Sequence, residues 1–194
     1  MAELLQVIQE RRSFRGLKED AIPDDVLGRI MTAATYAPSC SNNQPWRYLV
    51  IKGGNALERA RGHLAGGNYW ARKAPVLILV ITRNDLDCQI GSREYADFDT
   101  GMSAMSLQLQ AWHEGCYAHP MAGFKAKGMT EEFGIDAEGH RLITVIALGY
   151  MGSADELSDK HKELEHSERD RKPLSDVVCY DEWKAPDPAP DKEG

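Results

Sequence analysis

The chain has 194 residues, of which 42% are hydrophobic and 27% are charged, and its formal net charge is -7 at pH 7. This length and composition suit one compact domain and exclude wholesale disorder, and the negative charge argues against non-specific binding to nucleic acid or acidic membranes. No apolar run approaches the roughly 20 residues of a transmembrane helix, and the N-terminus lacks the apolar stretch of a signal peptide. We therefore expect a cytoplasmic protein.

The chain alternates helical and strand patterns without a strict strand–helix–strand repeat, which favours the α+β class. In chain order, the patterns predict helices over 4–11 and 22–37, a strand over 46–51, a helix over 57–64, a strand over 75–82, a helix over 99–113, a strand over 116–119, a helix over 130–133, a strand over 142–150, a solvated charged segment over 153–172 and an edge strand over 177–180. The strands over 75–82 and 142–150 are apolar on both faces, so we expect them to be buried. We assign 1–183 to one domain and predict that 184–194, which is rich in proline and charge, is a disordered tail.

The cysteines and histidines predict no metal site. The four cysteines stand far apart, without a C-x-x-C pair, at Cys40, Cys88, Cys116 and Cys179. Because no secretory signal is evident, this pattern predicts reduced thiols rather than a disulfide framework. His161 and His166 are five residues apart, so on a helix they would not share a face as the ligands of H-E-x-x-H do. We interpret them as part of a solvated charge run.

A dense group of basic residues lies at the end of the first predicted helix, in the segment Arg11-Arg12-Ser13-Phe14-Arg15. Guanidinium groups carry a permanent charge and a planar fork of donors, which suits a phosphate group. Basic residues at the C-terminal end of a helix are also favoured by the helix dipole. On local sequence alone the second interpretation is preferred, and an anion site stays open.

A second motif is the irregular loop that prolines bound on both sides, in the segment Ala37-Pro38-Ser39-Cys40-Ser41-Asn42-Asn43-Gln44-Pro45-Trp46. Hydroxyl, thiol and amide side chains fill the space between the prolines. A plain connector between a helix and a strand needs no such polar run. We therefore expect the loop to line a binding site.

Together the two motifs, R-R-S-x-R and then A-P-S-x-x-N-x-Q-P-W about two dozen residues later, resemble the FMN-dependent nitroreductase superfamily. Later segments keep the order of that family, at 99–111, 115–117, 119–124, 147–150 and 171–174. The resemblance implies a sandwich in which helices flank an antiparallel-dominated central sheet, and a homodimer with FMN at the interface. It also reverses the preference for the arginines, in favour of a phosphate site.

The resemblance implies which residues of one chain hold FMN. The phosphate and the ribityl chain would contact Arg11, Arg12, Ser13 and Arg171, with Lys172 as the alternative to Arg171. Arg15 would approach the pyrimidine end of the isoalloxazine ring. Two-electron reduction adds negative charge on that N1–C2=O side, so a cation there would favour the reduced state.

Further contacts to the ring are implied from three other segments. The partner subunit would cover the ring with Pro38, Ser39, Cys40, Asn42 and Gln44. Asn68 is the candidate for an amide side chain near the ring, and the strand end at Leu148 and Gly149 would pass its backbone close to it. A thiol is a weak donor, so the contact of Cys40 would run through its backbone.

The implied activity is that of an oxidoreductase. The sequence holds no nucleophile–base constellation, and no catalytic side chain is predicted because the flavin itself carries the electrons. We expect NADH or NADPH to reduce FMN and a nitroaromatic, quinone or enone acceptor to reoxidise it in the same pocket, which implies ping-pong kinetics.

Two alternatives stay open. One is a non-catalytic protein that stores or delivers FMN, and the other is a specialised relative that dehalogenates its substrate or fragments flavin. The segment 83–98, polar and rich in Arg, Asp and Tyr, is predicted to contain the lid that selects the substrate.

Overall fold

A central antiparallel sheet organises the protein in a computed structural model that describes residues 4–136 and 139–184. The strands in chain order are β1 (Arg47–Ile51), β2 (Val76–Thr82), β3 (Gln89–Ile90), β4 (Arg93–Glu94), β5 (Cys116–Met121) and β6 (Arg141–Tyr150). Four of them form the central sheet in the order β1-β2-β6-β5, and β3 pairs with β4 in a small separate hairpin. The predicted α+β sandwich with an antiparallel sheet is confirmed.

Helices cover both faces of the sheet. They are α1 (Gln6–Glu10), α2 (Asp24–Thr35), α3 (Gly54–Gly62), α4 (Ala96–His113), α5 (Ala126–Glu132) and α6 (Asp159–His166). Short 3-10 turns lie at Cys40–Asn42, Gly66–Lys73, Asn84–Leu86 and Leu174–Asp176. None of the described helices is long and apolar enough to cross a membrane.

The two central strands build a core on each side of the sheet because successive side chains of a strand point to opposite faces. Leu77 and Val145 pack into the cluster that contains α3, whereas Ile78 and Ile146 pack into the cluster that contains α2 and α4. All seven residues of β2 are buried. The burial that we predicted for 75–82 is confirmed over Val76–Thr82, whereas that predicted for 142–150 holds only over 145–149, because Ile143 is 39% exposed.

Helix α2 illustrates why the elements form where they do. Pro23 precedes the helix, and Asp24 and Asp25 occupy its first turn, where the helix dipole favours negative charge. Leu27 and Ile30 recur at helical spacing and are buried against the sheet. The polar face is left to solvent, so α2 needs only one apolar stripe.

The C-terminal part of the chain departs from the predictions. The edge strand over 177–180 is wrong, because no described strand pairs with these residues and Val177 and Tyr180 are 62% and 77% exposed. Alternating apolar residues over four positions are too few to hold a strand without an available sheet edge. The predicted tail over 184–194 lies outside the described residues apart from Lys184.

Candidate functional site

A polar cavity of about 320 Å³ lies between the segment after α1 and the segment after α6. We call it the arginine cavity, and it is lined by Arg11, Arg12, Ser13, Arg15, Leu164, Ser167, Glu168, Arg169, Asp170 and Arg171. The structure thus brings Arg171 to the N-terminal arginines, as the predicted site requires. Lys172, the alternative to Arg171, is not among the lining residues.

Hydrogen bonds between the two ends of the chain hold the arginine cavity together. The Arg12 guanidinium donates to the carbonyl oxygens of Ser167 at 2.6 Å and Leu164 at 3.4 Å, so it binds the last carbonyls of α6. In the opposite direction, Arg169 donates to the carbonyl oxygens of Ile8, at 2.9 Å, and Arg11. Arg12 therefore connects the N-terminal segment to the end of α6, in addition to any contact with an anion.

The side chain of Arg11 has unused hydrogen-bonding capacity in the cavity. Its Nη1 atom is buried and has no hydrogen-bond partner among the described residues. Burial lowers the pKa of Arg11 below its ordinary value, and the neighbouring charges of Arg169 and Arg171 lower it further. Buried donors are nearly always paired, so this cluster of like charges fits an anion that would accept from Arg11.

Arg15 stands at the edge of the arginine cavity and has a carboxylate partner. Glu165 of α6 accepts the backbone N–H of Arg15 at 2.8 Å, and its Oε1 lies 3.7 Å from Arg15 Nη1. The second carboxylate oxygen accepts the backbone N–H of Gly16 at 3.4 Å. One buried acid therefore fixes the main chain at Arg15 and Gly16 and attracts the Arg15 guanidinium.

A second cavity of about 590 Å³ shares Arg15 with the first, and we call it the Tyr69 cavity. It is lined by Arg15, Gly16, Leu17, Lys18, Glu19, Asp20, Tyr69, Trp70, Lys73, Gly152, Ser153, Glu156 and Leu157. Arg15 therefore lies at the junction between the arginines and the space beside Tyr69. An ion pair between Lys73 and Glu156 crosses the lining of the second space.

Glycine is required where the wall of the Tyr69 cavity is built. A Cβ atom on Gly16 would lie 2.8 Å from the carbonyl oxygen of Ser153, closer than real Cβ contacts. The same approach lets Gly152 donate its N–H to Gly16 at 2.6 Å, and lets Lys18 donate its N–H to Tyr150 at 2.8 Å. These two hydrogen bonds hold the segment 16–18 against the end of β6.

Three residues predicted to contact the ring are outside the lining of both cavities. Asn68 lines neither cavity, because its Nδ2 donates to the Gly123 carbonyl at 2.8 Å, and its neighbour Tyr69 takes the wall position instead. The side chain of Leu148 is buried in the core beside α2 and α4, and its backbone contact with flavin stays a prediction. A Cβ on Gly149 would lie 3.0 Å from Pro75 Cδ, so packing within the chain explains this glycine, and its contact with flavin stays a prediction.

The polar loop between α2 and β1 lines neither cavity in this single chain. Its backbone takes positive φ at three non-glycine residues, Ser41 (50°), Asn42 (58°) and Gln44 (52°), a conformation that costs energy and is held by surrounding contacts. Ser39 Oγ accepts the N–H of Gln44 at 2.9 Å, and the N–H of Cys40 donates to Asp99 at 2.6 Å. The loop is therefore held rigidly, while Pro38, Asn42 and Gln44 are exposed.

A disulfide joins Cys40 of this loop to Cys88, with a Cα–Cα distance of 5.9 Å. The prediction of reduced thiols is wrong for this pair in the structure, whereas Cys116 and Cys179 are free. Spacing along the chain could not reveal the pairing, because the two cysteines are 48 residues apart and meet only through the fold. The bond ties the polar loop to the segment predicted to contain the lid.

His119 contacts the arginine segment and is not a general acid at neutral pH, because its ring carries no extra proton to give up. Its ring packs against Trp70 at 4.4 Å between centroids, and its Nδ1 lies 3.0 Å from the carbonyl oxygen of Phe14. Burial lowers the pKa of His119 to about 4, so the ring is neutral and donates to that carbonyl. It acts as a packing residue.

Sequence comparison agrees with this geometry. A model of the nitroreductase family matches residues 8–68 and 62–150, which is most of the chain. The chain belongs to the nitroreductase family. The predicted family resemblance is therefore confirmed.

Individual relatives of this nitroreductase-family chain support the same assignment. A Methanothermobacter thermautotrophicus protein, provisionally named NADH dehydrogenase/NAD(P)H nitroreductase, is 29% identical over 158 residues, covering 76% of this chain and 77% of its own. A solved structure described as an oxidoreductase containing FMN is 29% identical, with a TM-score of 0.85 and 94% of each chain covered. A nitroreductase family protein of Clostridium difficile shares the fold at 22% identity, with a TM-score of 0.76 and coverage of 94% and 100%.

Two residues of the site escaped the sequence analysis. Arg169 and Glu165 lie in the charged segment over 153–172, where 14 of 20 residues are ionisable and neither residue differs in kind from its neighbours. Arg169 could have been found from its spacing, because it lies two residues before Arg171. No sequence pattern identifies Glu165 as a site residue, because its burial depends on how α6 packs against Arg15.

Proposed function

We propose that this chain is an FMN-dependent oxidoreductase that takes electrons from NADH or NADPH and passes them to a nitroaromatic, quinone or enone acceptor. The observation that carries the proposal is the buried Nη1 of Arg11, unpaired among the described residues, in a cavity that shares its lining residue Arg15 with a larger one. The FMN content stated for the solved relative and the NAD(P)H named for the archaeal one support it.

The two cavities match the two ends of FMN. Its phosphate carries close to two negative charges at neutral pH, which suits Arg11 and Arg171, neither of which forms an ion pair among the described residues. Ser13 adds a hydroxyl to the same cavity. The Tyr69 cavity offers the ring a wall of Tyr69 and Trp70, with Arg15 at the junction.

The residues of this chain bind FMN and adjust its redox potential, and they do not themselves take part in electron transfer. Bound FMN supplies the two-electron chemistry between the nicotinamide and the acceptor. Arg15 places a positive charge where negative charge would develop, and His119 stays neutral beneath it. We propose that both reactants use the same open side of the site in turn, which gives ping-pong kinetics.

We further propose that the protein is a homodimer in which the polar loop of one subunit covers the FMN of the other. An apolar groove of about 750 Å³ runs between α1, α2 and α4, beside Tyr36, which is 83% exposed. Leu4 and Leu5 next to it are 65% and 72% exposed. An apolar patch of this kind marks an interaction surface, and the rigid, exposed loop follows directly after Tyr36.

The direct test is anaerobic mixing of the purified protein with NADH and with NADPH. We expect a yellow protein from which acid releases one FMN per chain, and rapid bleaching with at least one nicotinamide. A flavin that stays oxidised with both would favour the storage role over turnover. Colourless protein that ignores added FMN would overturn the cofactor assignment.

The Arg15→Ala variant is expected to lower the midpoint potential of bound FMN. Oxidised FMN is neutral at the ring edge, so the variant loses a charge partner mainly in the reduced form. A charged contact contributes on the order of 1.5–3 kcal/mol, and about 1.4 kcal/mol corresponds to about 30 mV for a two-electron couple. A spectroscopic redox titration at saturating FMN should therefore show a fall of some tens of millivolts.

The control for this prediction is Lys127→Ala, which removes an exposed positive charge of α5, outside both cavities. Its potential should equal that of the wild-type protein. An unchanged potential in Arg15→Ala as well would mean that the cation beside the ring is a different residue, and Lys73 would be the next candidate.

A further inference from the structure

Glu165 is a buried acid whose contacts are concentrated on one neighbour. Its side chain is 6% exposed, and its carboxylate meets the backbone N–H and the guanidinium of Arg15 and the backbone N–H of Gly16. Burying a carboxylate costs free energy unless it is paired and hydrogen-bonded. The surrounding residues of α6, Glu163 and Leu164, are exposed, so the helix turns this one carboxylate inward.

The geometry divides the role of Glu165 into two parts. Two backbone hydrogen bonds, at 2.8 and 3.4 Å, hold the main chain at the junction of the two cavities. The Oε1–Nη1 distance of 3.7 Å is longer than a direct hydrogen bond, so the guanidinium is attracted without being fully engaged. Arg15 therefore keeps donors that can turn toward a second anionic partner.

We propose that Glu165 is a positioning residue that sets the redox potential of FMN by competing for Arg15. The inference rests on the proposed function. In the oxidised protein the carboxylate holds the Arg15 guanidinium, and the negative charge that reduction adds to FMN has to draw the guanidinium away from it. Glu165 thus limits how strongly Arg15 favours the reduced cofactor.

The Glu165→Gln variant separates this role from a purely structural one. Glutamine keeps the size of the side chain and an acceptor oxygen for the N–H of Arg15, but it has no charge to compete for the guanidinium. We expect the affinity for reduced FMN to rise about tenfold relative to that for oxidised FMN, which corresponds to about 30 mV in the midpoint potential. A residue that served only to hold the loop would change FMN affinity or thermal stability and leave the potential unchanged.

Two controls make the measurement specific. Glu163→Gln removes the same charge from the exposed side of α6 and is expected to leave the potential unchanged. In the Arg15→Ala background there is no guanidinium to release, so Glu165→Gln should raise the potential by much less than it does in the wild-type background. Equal shifts in both backgrounds would mean that the carboxylate acts directly on the flavin, which overturns competition for Arg15.

The remaining outcomes are also decisive. A fall or no change in the potential of FMN-loaded Glu165→Gln overturns the proposal while leaving the proposed function intact. If that variant does not fold, Glu165→Asp keeps the charge but shortens its reach, and its potential is expected to rise by a smaller amount; an unchanged value there overturns the proposal. Wild-type protein that binds no FMN would overturn the proposed function, and this inference with it.

Discussion

FMN is expected to bind the Arg11→Ala variant about ten- to a hundredfold more weakly than the wild-type protein. Arg11 holds the buried Nη1 that lacks a partner among the described residues, and it is surrounded by the charges of Arg169 and Arg171. A hydrogen bond to a charged group contributes on the order of 1.5–3 kcal/mol, which gives that range of Kd. Titration of the apoprotein with FMN, followed by quenching of flavin fluorescence, measures the loss.

The midpoint potential provides the internal control for Arg11→Ala. A phosphate contact acts alike on oxidised and reduced FMN, so the potential of the flavin that stays bound should hardly move. Arg12→Ala is a less selective variant, because Arg12 also binds the carbonyls of Leu164 and Ser167. We expect Arg12→Ala to lower thermal stability together with affinity. Unchanged FMN affinity in Arg11→Ala would mean that the phosphate of FMN does not bind in the arginine cavity.

Loss of the Cys40–Cys88 disulfide is expected to lower the free energy of unfolding by about 2–4 kcal/mol. The bond closes a loop of 48 residues, and such a closure restricts the unfolded chain more than the folded one. Urea unfolding of wild-type protein with and without a thiol reductant measures the difference. Cys88→Ser should match the reduced wild-type protein and should not respond to the reductant.

Cys179→Ser is the matched control, because Cys179 is exposed and free. Its stability should follow that of the wild-type protein under both conditions. Alkylation in denaturant at the moment of cell lysis provides a second readout, in which two modified thiols indicate the disulfide and four indicate the reduced protein. Four thiols would agree with the cytoplasmic location that the sequence analysis expects, since cytosolic proteins are kept reduced, and would contradict a stabilising bond in the cell.

The core of the fold could be predicted from the sequence because its signal is local. The segments over 75–82 and 142–150 are apolar on both faces, and only a strand covered on two sides tolerates that pattern. The family motifs at Arg11–Arg15 and Pro38–Trp46 likewise carry their information within a few residues. These are the parts where local propensity and tertiary structure agree.

The remainder depends on contacts between distant residues, which no local pattern encodes. Glu165 becomes a partner of Arg15 only because α6 packs against the N-terminal segment. Cys40 meets Cys88 only after the polar loop and the turn before β3 are in place. The choice between Arg171 and Lys172 could not be made from the sequence, because several basic residues stand close together there and only the fold shows which of them faces the cavity.

The arginine cavity is assembled from two segments that lie far apart in the chain. Arg12 and Ser167, whose hydrogen bond closes it, are 155 residues apart in the chain. A nascent chain that has reached Tyr150 contains every strand of the central sheet but none of the carbonyls that Arg12 binds. The central sheet can therefore form before the arginine cavity is complete, and an anion would find its full set of arginines only after Leu164 and Ser167 have packed against Arg12.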